Sequence, residues 1–231
     1  MLRKACELAS VFTVLILLCS AVGAQTSDSL EALNRKSHGL NEVADRILLQ
    51  PAAKIYTKVC PLFVRKGVRN FFNNLDDINV ALNDALQLKF RAAASDIGRL
   101  LINSSVGLGG LFDPASKMGL YKNQEDFGQT LAVWGVGSGS YFVIPLLGPS
   151  SIRDSMGLMV DAAFDPIWTL RDIRARNSLY ALDRLHVRAD LLSAESLVMG
   201  DRYLFFRNAY LQRREYLIND GEVEDEFGDE F

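Results

Sequence analysis

Histidine, cysteine, proline and long apolar runs are all scarce in this chain. Its 231 residues include two histidines, three cysteines and six prolines. Beyond the N-terminus no apolar stretch approaches the roughly twenty residues that a membrane-spanning helix needs. His38 and His186 fall in separate segments without the closely spaced His, Cys or Glu partners of a zinc site, so no metal is expected. Strand-like alternation is nearly absent. Only Tyr141 to Leu147 reads as a strand, and Pro145 argues against a central one. Excess basic charge is missing too. The formal net charge is −3, and six acidic residues (Glu222, Glu224, Asp225, Glu226, Asp229, Glu230) follow Gly221. The near-neutral body offers no electrostatic footprint for nucleic acid. Gly135-Val136-Gly137-Ser138-Gly139 has the look of a phosphate loop, but no strand precedes it, no Lys-Ser/Thr follows, and Pro145 blocks an immediate helix. Ser138 lies between glycines without the spacing of a nucleophile elbow. Asp113-Pro114 and Asp165-Pro166 read as turn or helix-start signals, and Arg153-Asp154 as a local pair or cap. The chain is therefore read as a non-enzyme without a cofactor.

What the chain does have is apolar surface. Hydrophobic residues make up 49% and aromatics 10%, with mean hydropathy +0.08. That surplus is either core or faces lipid from helices that do not span. Arg3 and Lys4, an apolar run from Ala9 to Leu18, and Val22-Gly23-Ala24 before Gln25 form a secretory signal with cleavage expected after Ala24. Three regions follow: a signal (1–24), one helical domain (25–220) and an acidic disordered tail (221–231). Cleavage removes Cys6 and Cys19 and leaves Cys60 alone, which excludes an intramolecular disulfide and suggests a buried thiol.

Helical periodicity dominates the body. Ser27-Asp28-Ser29-Leu30-Glu31 supplies a start, with Leu33, Leu40, Val43, Ile47 and Leu48 at helical spacing. Pro51 suits the first position of a new helix, and Pro61 ends it. A further helix is expected to stop among Asn70, Asn73, Asn74 and Asn79, because asparagine side chains compete for the backbone. From Asp84 to Ile102 one apolar stripe (Leu86, Phe90, Ala93, Ala94, Ile97, Leu101) predicts the clearest helix, with Lys89, Arg91, Asp96 and Arg99 off it. Later helices are expected over about 151–163, 170–198 and 201–217.

Between Asn103 and Asp161 lies a dense glycine-rich series. It comprises Asn103-Ser104-Ser105-Val106-Gly107-Leu108-Gly109-Gly110-Leu111-Phe112-Asp113-Pro114, Asp126-Phe127-Gly128-Gln129-Thr130-Leu131, Trp134-Gly135-Val136-Gly137-Ser138-Gly139-Ser140-Tyr141, Leu147-Gly148-Pro149-Ser150 and Arg153-Asp154. Together with Gly67-Val68-Arg69-Asn70-Phe71-Phe72-Asn73-Asn74-Leu75, and with Asp28, Glu31, Asn34 and Arg35, this series closely resembles the MlaA/VacJ family from about Ser27 to Asn219. In this chain Ser29 stands where the family has proline, and His38, Leu40 and Asn41 stand where phenylalanines are usual.

The resemblance implies an all-α disc of amphipathic helices in the inner leaflet of the outer membrane, with a central amphipathic channel and a Gly-rich hairpin. It implies removal of mislocalised phospholipid from the outer leaflet, beside a porin trimer and towards a periplasmic lipid carrier. Asn103, Ser104, Arg153, Asp154 and Asp161 are the expected polar channel wall, and Gly135, Gly137 and Gly139 the expected hairpin gate. Most members are lipoproteins whose modified cysteine follows a small residue. Here Cys19 follows Leu18, which leaves two N-termini open, Gln25 or a lipidated Cys19. A non-transporting envelope adaptor bound to porins and a phospholipase acting through Ser138 are the alternative readings.

Overall fold

The computed structural model describes residues 30–222. The expected signal with its Ala24–Gln25 junction, Cys19, the cap over residues 27–29 and most of the acidic tail lie outside them.

The chain begins with α1 (Glu31–Ala44), which passes through a π-helical turn (Asp45–Leu49) directly into α2 (Gln50–Val59). Pro51 explains the wide turn. Proline has no N–H to donate and crowds the carbonyl four residues back, and a local π-helical widening relieves both problems without ending the helix. Pro51 was expected to start a new helix; instead the rod is continuous across it. After Pro61 come α3 (Leu62–Leu86) and α4 (Phe90–Ser105), then α5 (Pro114–Lys117) and α6 (Phe127–Val133). Strands β1 (Tyr141–Ile144) and β2 (Gly148–Ser151) pair antiparallel, with Tyr141 opposite Ser151 and Ile144 opposite Gly148. The chain closes with α7 (Ile152–Phe164), α8 (Ile173–Leu191), a 3-10 turn (Leu192–Leu197) and α9 (Arg202–Ile218). Asp113, Asp126, Ser151, Asp172 and Asp201 each accept a backbone N–H at the start of α5 to α9 in turn, satisfying donors that a helix start leaves free.

Two helix boundaries differ from the sequence expectation. Helix α3 runs straight through the asparagines, because their amides find partners across the fold. Asn74 donates to Ser104 Oγ (2.9 Å), Asn79 to the Asp161 carbonyl (3.2 Å) and Asn70 to the Leu111 carbonyl (3.2 Å). An amide engaged elsewhere no longer competes for its own backbone. The predicted helix from Asp84 is broken between Leu86 and Phe90. There Leu88 takes φ +65°, while Leu88 N and Lys89 N donate to the carbonyls of Ala85 and Asp84 and so close the end of α3.

Polarity is inverted across much of the molecule. Arg99, Gln129, Asn34, Asn83, Thr130, Asp77, Asp84, Asp96 and Ser151 are among the most completely buried side chains. Meanwhile Ile47, Phe63 and Leu101 are 72%, 75% and 64% exposed. The α4 stripe shows the reversal most plainly: Phe90, Ile97 and Leu101 face outward, while Asp96 and Arg99, expected off the packed face, are buried together with Asn103. Apolar packing is confined to small clusters, such as Phe127 with Leu131 and Val136, Ala53 with Tyr56 and Ala189, and Tyr141 with Val143 and Tyr203. Cys60 is half-buried at the edge of the second. No helix among the described residues is long and apolar enough to cross a membrane.

Candidate functional site

A groove of about 470 Å³ opens between the hairpin, α7, α8 and α9. Its polar wall carries Asp126, Asp154, Asp161, Asp165 and Asp183 with Arg184, Arg214 and Tyr210, and its apolar margin includes Leu147, Leu158, Met159, Ile167 and Trp168. Lining groups come from distant parts of the chain, and α7 and the hairpin contribute equally. Helix α7 starts where Ser151 caps it through Asp154 N (3.1 Å). It also crosses α6 closely enough that a Cβ on Gly157 would lie 2.8 Å from Gly128 Cα. That crossing requires Gly157, whereas a Cβ on Gly128 would meet the Asp154 and Arg214 side chains, 2.7 and 2.8 Å away.

Arg214 on α9 ties the wall together. It pairs with Asp126 through both terminal nitrogens and with Asp154 at 2.9 Å, while Tyr210 donates to Asp154 (2.5 Å). Burial pushes the Asp154 carboxyl up, but Arg214, Tyr210, Arg153 and Ser151 outweigh it and hold the acid below its usual range. Asp161 behaves differently. It accepts Phe127 N (3.0 Å) and Asn83 Nδ2 (3.0 Å), yet has no cation among its main influences, and burial pushes it up to about 6.

From Asp161 a polar seam runs into the interior. Asn83 Oδ1 accepts from Thr130 Oγ1 (2.9 Å), and Thr130 accepts from Gln87 (3.3 Å). Gln87 also donates to Glu125, which pairs with Lys89 at 2.9 Å. Beside this seam, Asp84 is buried near a second carboxyl, Asp96; burial first, and then that neighbouring acid, push Asp84 up to about 8. Arg99 lies 3.4 Å from Asp77 and 3.5 Å from Asp113.

The five expected wall residues separate. Asp154 and Asp161 line the groove. Arg153 is buried behind it, paired with Asp154 (2.9 Å). Asn103 instead pins the glycine-rich loop, donating to Asp113 (3.1 Å) and accepting Ala115 N (3.1 Å), and Ser104 holds Asn74. Gly135 follows α6 at φ +86°, where Val136 N donates to Leu131 O (2.9 Å) and Gly135 N to Ala132 O (2.8 Å), a Schellman ending. Gly137 and Gly139 lie in the lead-in to the hairpin, not within it. The hairpin itself is clamped on α1. Asn34 bonds Tyr141 O (3.2 Å) and Val143 N (3.0 Å), and Asn41, two turns on, bonds Ile144 O (3.0 Å) and Leu146 N (2.6 Å). Sequence reasoning missed Arg214, Tyr210 and Asn83, whose roles depend on tertiary partners. Ser138 Oγ donates to the Gly139 carbonyl, while His38 sits beside Glu42 and His186 stacks on Phe72.

Known proteins share this architecture. A solved structure described as "Structural basis for maintenance of bacterial outer membrane lipid asymmetry" superposes with a TM-score of 0.75 at 29% identity, covering 84% of this chain and all of that one. The intermembrane phospholipid transport system lipoprotein MlaA of Haemophilus influenzae is 35% identical over 205 residues, 86% of this chain and 82% of its own. That of Escherichia coli K12 is 30% identical over 220 residues, covering 91% and 87%. An uncharacterised protein of Rickettsia bellii is 35% identical over 194 residues, covering 81% and 75%. The profile described as MlaA lipoprotein matches residues 26–217, and the chain belongs to that family.

Proposed function

We propose that this protein moves phospholipid between membranes of the cell envelope, taking mislocalised lipid from the outer leaflet of the outer membrane towards a periplasmic carrier. The observation that carries this reading is the inverted polarity. A lipid head group needs a polar route, since taking a charge through hydrocarbon costs several kcal/mol or more, whereas its tails can stay in an apolar medium. A buried seam of amides and carboxyls beneath exposed leucines supplies both surfaces without hydrolysis. Asp154 and Asp161 face the lipid head group in the groove, Arg214 and Arg153 keep Asp154 ionised, and Asn103 and Ser104 hold the glycine-rich loop behind the wall. The disc lies in the inner leaflet of the outer membrane beside a porin trimer, and the lead-in at Gly137 and Gly139 flexes beside the opening.

Protein purified from membranes in mild detergent tests the reading, with bound lipid extracted and the intact mass recorded from one sample. Phospholipid in near-stoichiometric amount is expected. A lipid-free protein that transfers no phospholipid between vesicles overturns transport and leaves an envelope adaptor. A mass starting at Gln25 supports cleavage after Ala24, and a triacylated Cys19 replaces it.

A further inference from the structure

Among the described residues four that are not glycine adopt positive φ: Leu88 (65°), Leu108 (53°), Leu146 (66°) and Asp220 (53°). Aspartate tolerates this conformation. Leucine does not, because its Cβ is forced towards the following carbonyl oxygen. Each leucine occupies a position where glycine is the usual solution. Leu88 is the left-handed residue that closes α3, and Leu146 is the residue after proline in the β1–β2 turn, where Leu147 N bonds Ile144 O. Leu108 opens a left-handed run with Gly109 and Gly110. Packing does not explain the choice, since these side chains are 73%, 66% and 73% exposed.

We propose that Leu88, Leu108 and Leu146 are insertion points, three turn tips that carry leucine side chains into the acyl-chain region of a lipid membrane. An exposed leucine on a strained backbone gains nothing from water or from this chain, but gains transfer free energy in hydrocarbon. The neighbours Phe90, Phe112 and Leu147 are also exposed and widen each tip. Turn backbone entering hydrocarbon must have its polar groups satisfied from within. Here Leu88 N bonds Ala85 O, Gly109 N bonds Ser104 O (3.0 Å), and Leu146 N is taken by the Asn41 side chain. The inference rests on the membrane-lipid reading above and assigns the contact to particular residues.

The test uses the mature protein with Cys60→Ser, bearing an environment-sensitive fluorophore at Leu88→Cys, Leu108→Cys or Leu146→Cys, reconstituted into vesicles of phosphatidylethanolamine and phosphatidylglycerol. Quenching by acyl-chain nitroxides and protection from aqueous iodide are expected at all three tips. The Leu88→Asn, Leu108→Asn, Leu146→Asn triple variant relieves strain, so it is expected to melt at the same or a higher temperature while exchanging between vesicles at least tenfold faster. Probes quenched only from water, on protein that still floats with vesicles, overturn tip insertion alone. So does a triple variant that melts earlier with unchanged exchange, which makes the leucines fold determinants. Unlabelled protein that does not float at all overturns the membrane reading itself, and this inference with it.

Discussion

Asp161 and Asp84 give the fold a measurable acid dependence. Both carboxyls bind a proton more tightly in the folded chain than in an unfolded one, where an aspartate titrates near 3.8. Their protonated forms therefore favour folding at low pH. That contribution is complete below about pH 4 and is lost as pH rises through about 6 for Asp161 and about 8 for Asp84. Asp161→Asn is expected to flatten the stability profile between pH 4 and 6, a change on the order of 2 kcal/mol after allowance for its partial exposure. Asp84→Asn is expected to remove a decline that runs from about pH 4 to about pH 8, and to be read most cleanly between pH 6 and 8, above the Asp161 titration. Denaturant titrations at several pH values in detergent measure both; a wild-type profile that rises across this range contradicts the burial argument. Arg214→Ala leaves Asp126 and Asp154 without their shared cation, so a loss on the order of 3 kcal/mol is expected by the same measurement.

At the scale of elements, two crossings carry the hairpin and the groove. Asn34→Ala leaves Tyr141 O and Val143 N without their side-chain partner and is expected to cost on the order of 2 kcal/mol. Thermal unfolding checks it, and a neutral result removes the clamp from the account. Gly157→Ala drives a methyl into the backbone of Gly128 and is expected to cost about 1–3 kcal/mol or prevent folding. Much of this layer was legible in advance. Helix periodicity and capping aspartates are local signals, and α1, α7, α8 and α9 fall near their expected places. The asparagine-rich α3 was not legible, because whether Asn74 or Asn79 stops a helix depends on Ser104 and Asp161, distant in sequence. Strand β2 was also missed; Gly148-Pro149 reads as a turn, and only the register against β1 makes it a strand.

For the whole molecule, hydropathy reported a surplus of apolar surface but not its placement. The α4 stripe looks the same in sequence whether its leucines face a core or a membrane. Only the buried set of Asp96, Arg99 and Asn103 on the opposite side decides which face is inside. Similarly, Asp154 and Asp161 line one groove because α7 carries both, whereas Asn103 and Ser104, grouped with them in the sequence reading, lie away from it. The central claim is that this groove contacts phospholipid. Its most direct test is a photoreactive amino acid at Met159 or Leu158 in the groove, and at Phe63 on the exposed face of α3, activated in intact membranes and followed by mass spectrometry of the adducts. The account predicts phospholipid adducts from the groove positions as well as from Phe63. Adducts at Phe63 with none in the groove contradict it.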